Sequence, residues 1–128
     1  MLPNTRKWAF SLAIFVTLVV VYLSLGNPPQ LGPRMFDFAG ADKFKHALAY
    51  STLAVLWLNA TTIGTPTSGS IKRTFWLVLV VALFFLGVLL EVLQWTLFPN
   101  RFFEYADMLA NGVGIGIGSL IFKRILRS

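Results

Sequence analysis

The sequence predicts an all-α integral membrane protein: one bundle of four transmembrane helices with both termini in the cytoplasm. Three observations lead to this. Apolar residues make up 56% of the 128-residue chain and charged residues 12%, against roughly 45–50% and about 25% in soluble domains. A protein this small has too much surface to cover with so few charges. The apolar residues also fall into four runs, each long enough to cross a bilayer. Finally, the basic residues collect in the short segments between the runs, the arrangement by which membrane proteins set their orientation.

The first run, Trp8 to Leu25, carries no charge. At about 1.5 Å per residue it reaches about 27 Å, close to the thickness of a hydrocarbon core. It ends at "GNPPQLGP", which cannot continue a helix. Arg6 and Lys7 ahead of the run and "SLG" at its end also fit a signal peptide, but the run exceeds the usual ~7–15 apolar residues, so a retained anchor is the expectation. The second run extends from about His46 to Ile63 and stops at the polar loop "GTPTSGS". The third, Thr74 to Phe98, is closed by Pro99, and the fourth runs from about Tyr105 to Phe122 and ends in "KRILRS". Within the fourth, "GVGIGIG" alternates as a strand would. A lone strand in lipid would leave its backbone unpaired, so a helix is expected.

Orientation follows from counting Lys and Arg on each side of four spans. Arg6, Lys7, Lys72, Arg73, Lys123, Arg124 and Arg127 share one side; Arg34, Lys43, Lys45 and Arg101 share the other. The richer side belongs in the cytoplasm. The poorer side also carries Asp37, Asp42, Glu104 and Asp107. The net charge of +6 is thus a matter of topology. With no basic stripe interleaved with aromatics, a nucleic-acid partner is not expected. The absence of cysteine removes disulfides, thiolate metal sites and thiol catalysis.

The polar residues inside and beside the runs converge in this arrangement. Asp42, His46 and Tyr50 are spaced by four and share a helical face near the outer end of the second span, with Lys43 at its border. Glu91 and Gln94 share a face near the outer end of the third. Arg101, Glu104 and Asp107 stand at the entrance of the fourth, with Asn111 one turn deeper, and Asp107, Asn111, Gly114 and Gly118 lie on one face. Simpler roles exist for most of these. Asp42 and Asp107 can cap helix N-termini. Lys43, Lys45 and Arg101 can anchor at the interface, Tyr50 can be an interfacial aromatic, and His46 can be a hydrogen-bonded packing residue. Gly114 and Gly118 suit close helix packing. Glu91 resists such a role. Holding it ionised in the apolar third run costs about 3 kcal/mol on the mildest insertion scale, so it is protonated or paired and should face the bundle, with His46, Arg101 and Lys43 as available partners.

These residues resemble the motifs of the VanZ-like membrane proteins. "DKFKHALAY" is similar to that family's Asp-Lys-x-x-His-x-x-x-Tyr motif, "GVLLEVLQ" to its Glu-x-x-Gln segment, and "PNRFFEYADMLANGVGIGIG" to the Arg, Asp, Asn and Gly pattern before and within its last span. The resemblance runs from about Asp42 to Gly118. It carries over Asp42, Lys43, His46, Tyr50, Glu91, Gln94, Arg101, Asp107, Asn111 and Gly114. Glu104 departs from it, since the family more often has a small polar residue there. The resemblance implies a four-helix protein of the bacterial cytoplasmic (inner) membrane, in a setting of cell-envelope chemistry and glycopeptide (teicoplanin) resistance.

Three functions fit the cluster. The first is a non-enzymatic ligand site in the outer leaflet, formed by Asp42, Lys43, His46, Tyr50, Glu91, Gln94, Arg101, Asp107 and Asn111. Lys43 and Arg101 would hold an anionic lipid headgroup or a lipid-linked envelope precursor, with no metal or cofactor. The second is an intramembrane enzyme acting on a phospholipid or isoprenoid phosphate, with His46 as base or nucleophile and Glu91 as its orienting acid. A divalent cation on Asp42, Glu91 and Asp107 could replace part of that machinery. The third is a polar core that only locks the bundle.

Overall fold

The computed structural model describes residues 3–26, 41–63, 69–98 and 103–126. Among them the chain is helical throughout: α1 (Pro3–Leu25), α2 (Ala41–Thr62), α3 (Gly69–Leu97) and α4 (Tyr105–Ile121), followed by a π-helical turn over Phe122–Leu126. Proline is tolerated at the first position of α1 because its missing N–H would have no intrahelical acceptor there. Residues 105–121, including "GVGIGIG", are helix and not strand.

Three helices are long and apolar enough to cross a membrane: Asn4–Leu25, Arg73–Leu97 and Tyr105–Arg124. They mark a multi-pass membrane protein. Their outward faces carry large, mostly exposed apolar side chains, among them Phe15, Leu18 and Tyr22 on α1 and Phe75, Val78 and Phe85 on α3. Water would penalise that area at about 25 cal/mol per Å², whereas lipid does not.

α2 is the most interior helix. It packs most extensively on α4 and also meets α1 and α3. It supplies Tyr50, Leu53 and Ala54 to a core completed by Leu83 of α3 and Ile115 of α4, against which Val16 and Val20 of α1 pack. A helix with so much of its surface against protein needs less apolar character than its neighbours. It can therefore hold Asp42, Lys43, Lys45 and His46 in its first two turns.

Gly114 and Gly118 set the distance between α2 and α4. A Cβ on Gly114 would run into the Ala47 carbonyl oxygen, and one on Gly118 into that of Ser51. Both contacts advance by four residues on both helices, so α2 and α4 run parallel and meet turn against turn. Small residues let membrane helices approach to backbone contact in this way. The same face of α4 carries Asp107 and Asn111, so the approach at the glycines presses these two side chains against α2 as well.

Beyond this packing, polar and aromatic contacts among the described residues also join α1 to the bundle. The Trp57 indole N–H donates to Thr17 Oγ1 at 3.0 Å. Phe10 packs edge-on against Trp57. The Gln94 amide donates to the Ser24 carbonyl at 2.7 Å.

Candidate functional site

The start of α2, the last turns of α3 and the start of α4 lie together at one end of the bundle. Their polar side chains form one cluster centred on Lys43. The Lys43 ammonium contacts Glu104, lies 2.5 Å from Asp107 Oδ1 and 3.7 Å from Asp42 Oδ2. Lys43 precedes the apolar run of α2, and the Asp107 and Glu104 carboxylates hold its ammonium well above the usual lysine value. It is therefore a firmly charged, multiply engaged cation.

Behind it, His46 Nδ1 pairs with Asn111 Oδ1 at 2.9 Å. The amide oxygen can only accept, so Nδ1 carries the proton. Nε2 then faces two carboxylates, Asp42 Oδ2 at 3.9 Å and Asp107 Oδ2 at 3.8 Å. Glu91 is buried within the bundle, and its Oε1 accepts the backbone N–H of Glu104 at 3.2 Å. That N–H stands at the N-cap of α4, where Glu104 is extended and makes no side-chain cap of its own. A carboxylate from α3 thus satisfies a free donor of α4, near the positive end of its dipole.

The cluster grades from wet to dry. The Asp42 and Glu104 side chains are 68% and 51% exposed, that of Asp107 only 8%, and Asn111 is fully buried. Asp107 occupies the first turn of α4 with its side chain turned into the bundle, so helix capping alone does not account for it. Its Oδ1 has the Lys43 ammonium as its ion-pair partner.

Several expectations change on this geometry. Glu91 faces the bundle, but its hydrogen bond goes to the Glu104 backbone and not to His46 or Lys43. Tyr50 is not an interfacial aromatic: it is buried in the core. Gln94 does not join the cluster through its amide; it reaches α1 at Ser24. The carboxylates that converge with a potential metal-ligating nitrogen are Asp42 and Asp107 around His46, so His46 takes the place expected of Glu91. Arg101 lies outside the described residues.

Two residues were missed by sequence reasoning. Glu104 is expected at the entrance of the fourth span but outside the ligand set, yet it contacts Lys43 through its carboxylate and Glu91 through its backbone. Gly87 lies inside the apolar run of α3, where nothing marks it. A Cβ there would stand 2.7 Å from Asn111 Nδ2 and 3.2 Å from the Tyr50 ring and hydroxyl. Gly87 makes the room that Asn111 needs to meet His46.

The result is an acidic niche. Four of the chain's five carboxylates, Asp42, Glu91, Glu104 and Asp107, gather here in a protein whose net charge is +6. Such a site holds cations, or ligands that carry or recruit positive charge. No family model matches the chain, and no curated protein and no solved structure is similar to it.

Proposed function

We propose that the chain is a VanZ-like protein of the bacterial inner membrane whose polar niche binds the phosphate-bearing headgroup of a cell-envelope lipid from the outer leaflet. In this reading α2 is a fourth span and both termini are cytoplasmic. The 22 residues of α2 extend about 33 Å at 1.5 Å per residue, and its polar first turns coincide with the niche. The bias of Lys and Arg toward the opposite side supports placing the niche outside.

The observation that carries the ligand reading is the passage from exposed Asp42 and Glu104 to buried Asp107 and Asn111. A lock for the bundle would be satisfied wholly within the protein. This cluster instead opens to the surface, with the Asp42 and Glu104 carboxylates exposed. Lys43 is the phosphate contact from the described residues, joined by Arg101. The surrounding carboxylates favour a headgroup that arrives with positive charge, as an amine or an associated cation.

Native mass spectrometry of gently extracted protein tests this. Wild type should retain a phosphate-bearing lipid, and Lys43→Gln and Arg101→Ala should lose most of it. The mass of the retained species separates a phospholipid from an isoprenoid-linked precursor. Equal retention by all three proteins contradicts the reading. The envelope setting is tested by teicoplanin susceptibility: expression of wild type should raise resistance and Asp107→Asn should not.

The competing structural reading makes a different forecast. If the niche only locks the bundle, Glu91→Gln and Asp107→Asn should lose stability and lipid retention in parallel. On the ligand reading, Asp107→Asn lowers the unfolding temperature no more than Lys43→Gln does, and loses retention even where it remains fully folded.

A further inference from the structure

We propose that Asp42, His46 and Asp107 form a binding site for a divalent transition-metal ion of the zinc or manganese class. The inference stands on the triad itself and does not require the lipid reading.

The donor atoms are Asp42 Oδ2, His46 Nε2 and Asp107 Oδ2, all within 4.8 Å of one another. The two distances from Nε2 are 3.9 and 3.8 Å. An ion held at about 2.1 Å from each donor in tetrahedral geometry needs donors about 3.4 Å apart. The two distances from Nε2 therefore have to shorten by about 0.4–0.5 Å and the carboxylate pair by up to about 1.4 Å, which rotation of the exposed Asp42 side chain provides.

The chemistry of the donors selects the ion. One imidazole with two carboxylates suits zinc, manganese or ferrous iron, whereas calcium and magnesium prefer oxygen alone. The Asn111 amide oxygen fixes a proton on His46 Nδ1 and so turns Nε2 toward the two carboxylates. That is the arrangement by which outer groups orient a metal-binding histidine.

Two further observations point to an absent cation. Asp107 is more than nine-tenths buried, and while its Oδ1 is held by the Lys43 ammonium, its Oδ2 is turned toward His46 Nε2 at 3.8 Å. The charges also favour a cation. Among the described residues, the carboxylates of Asp42, Glu104 and Asp107 outnumber the one ammonium they approach, that of Lys43. Lys43 lies nearest Glu104 and Asp107 Oδ1, so Asp107 Oδ2 stays available on the His46 side. The open face beside Asp42 admits water, or a phosphate oxygen, to complete the coordination.

The test is calorimetric titration of the chelator-stripped full chain in nanodiscs with Zn²⁺ and, separately, Mn²⁺. Wild type should take up one ion per chain. Asp42→Asn and His46→Gln should weaken binding at least tenfold. Asp42 is exposed and its substitution removes no packing, so this variant decides the matter should His46→Gln fail to fold. X-ray absorption of the zinc complex should show a nitrogen and oxygen shell containing one imidazole. Uptake of neither ion by wild type, or an unchanged affinity in Asp42→Asn, overturns the proposal. Lipid retention is measured on the same stripped samples. Metal uptake without lipid removes the lipid reading alone, and lipid retention in a chain that takes up neither ion removes the metal site alone.

Discussion

His46 of α2 and Asn111 of α4 meet through a 2.9 Å contact between Nδ1 and Oδ1, deep in the interface of two parallel helices. This pair joins the packing of the bundle to the chemistry of the niche, because it fixes which nitrogen of His46 faces the carboxylates. Asn111→Leu should leave the buried Nδ1 proton without an acceptor, at a cost of about 1–3 kcal/mol. Asn111→Asp keeps an acceptor at the same position and should lose less. Thermal unfolding in micelles checks the order. Equal stability of the leucine variant and wild type would count against the assigned pairing.

Three of the four glycines of α4 make an internal comparison. Cβ atoms at positions 114 and 118 meet backbone carbonyls of α2, while one at 116 meets nothing within 4 Å. A carbonyl cannot yield without moving its helix. Gly114→Ala and Gly118→Ala should each therefore cost about 1–3 kcal/mol by overpacking. Gly116→Ala should be neutral or slightly stabilising, since alanine favours helix over glycine by up to about 1 kcal/mol. The unfolding temperatures of the three variants should rank accordingly.

Gly87→Ala should damage the niche more than the fold. Its Cβ would meet the end of a side chain, Asn111 Nδ2, rather than backbone. Asn111 can turn away, but at the expense of its contact with His46. We expect a folded protein with near-normal unfolding temperature whose His46 ring resonances move to those of the Asn111→Leu variant. Unshifted resonances would place Gly87 outside the site.

The ion pairs of Lys43 carry a pH signature. Its ammonium is held above the ordinary lysine value by the Asp107 and Glu104 carboxylates. A raised folded value means that its contribution to stability is complete below the unfolded value of about 10.4. It is lost as pH rises through the folded value. Between about pH 6 and 9, Lys43→Gln should therefore lower the unfolding temperature by a constant amount. A difference that is absent between about pH 6 and 9 would show that the pairs are not what Lys43 contributes.

The helices were legible in the sequence because lipid demands long apolar runs, and breakers such as "GNPPQLGP" and "GTPTSGS" bound them. The convergence of α2, α3 and α4 was legible because charges inside such runs must find one another. Individual directions were less so. Gln94 lies three residues from Glu91, hence about 60° around the helix, and that rotation is enough to send it to α1. Tyr50 continues the face of Asp42 and His46 but sits a turn deeper, where the core begins. The parts played by Glu104 and Gly87 depend on what another helix brings within reach, and a single sequence does not display that.

The central claim is that α2, α3 and α4 open one acidic niche at the outer surface of the membrane. The chain has no cysteine, so single engineered cysteines report cleanly. The most direct measurement is labelling of Asp42→Cys and His46→Cys in intact spheroplasts with a membrane-impermeant maleimide, with Lys123→Cys as the cytoplasmic reference. Positions 42 and 46 should react from outside, 42 faster than 46, and position 123 only after lysis. Reaction of 42 and 46 only after lysis would contradict the account.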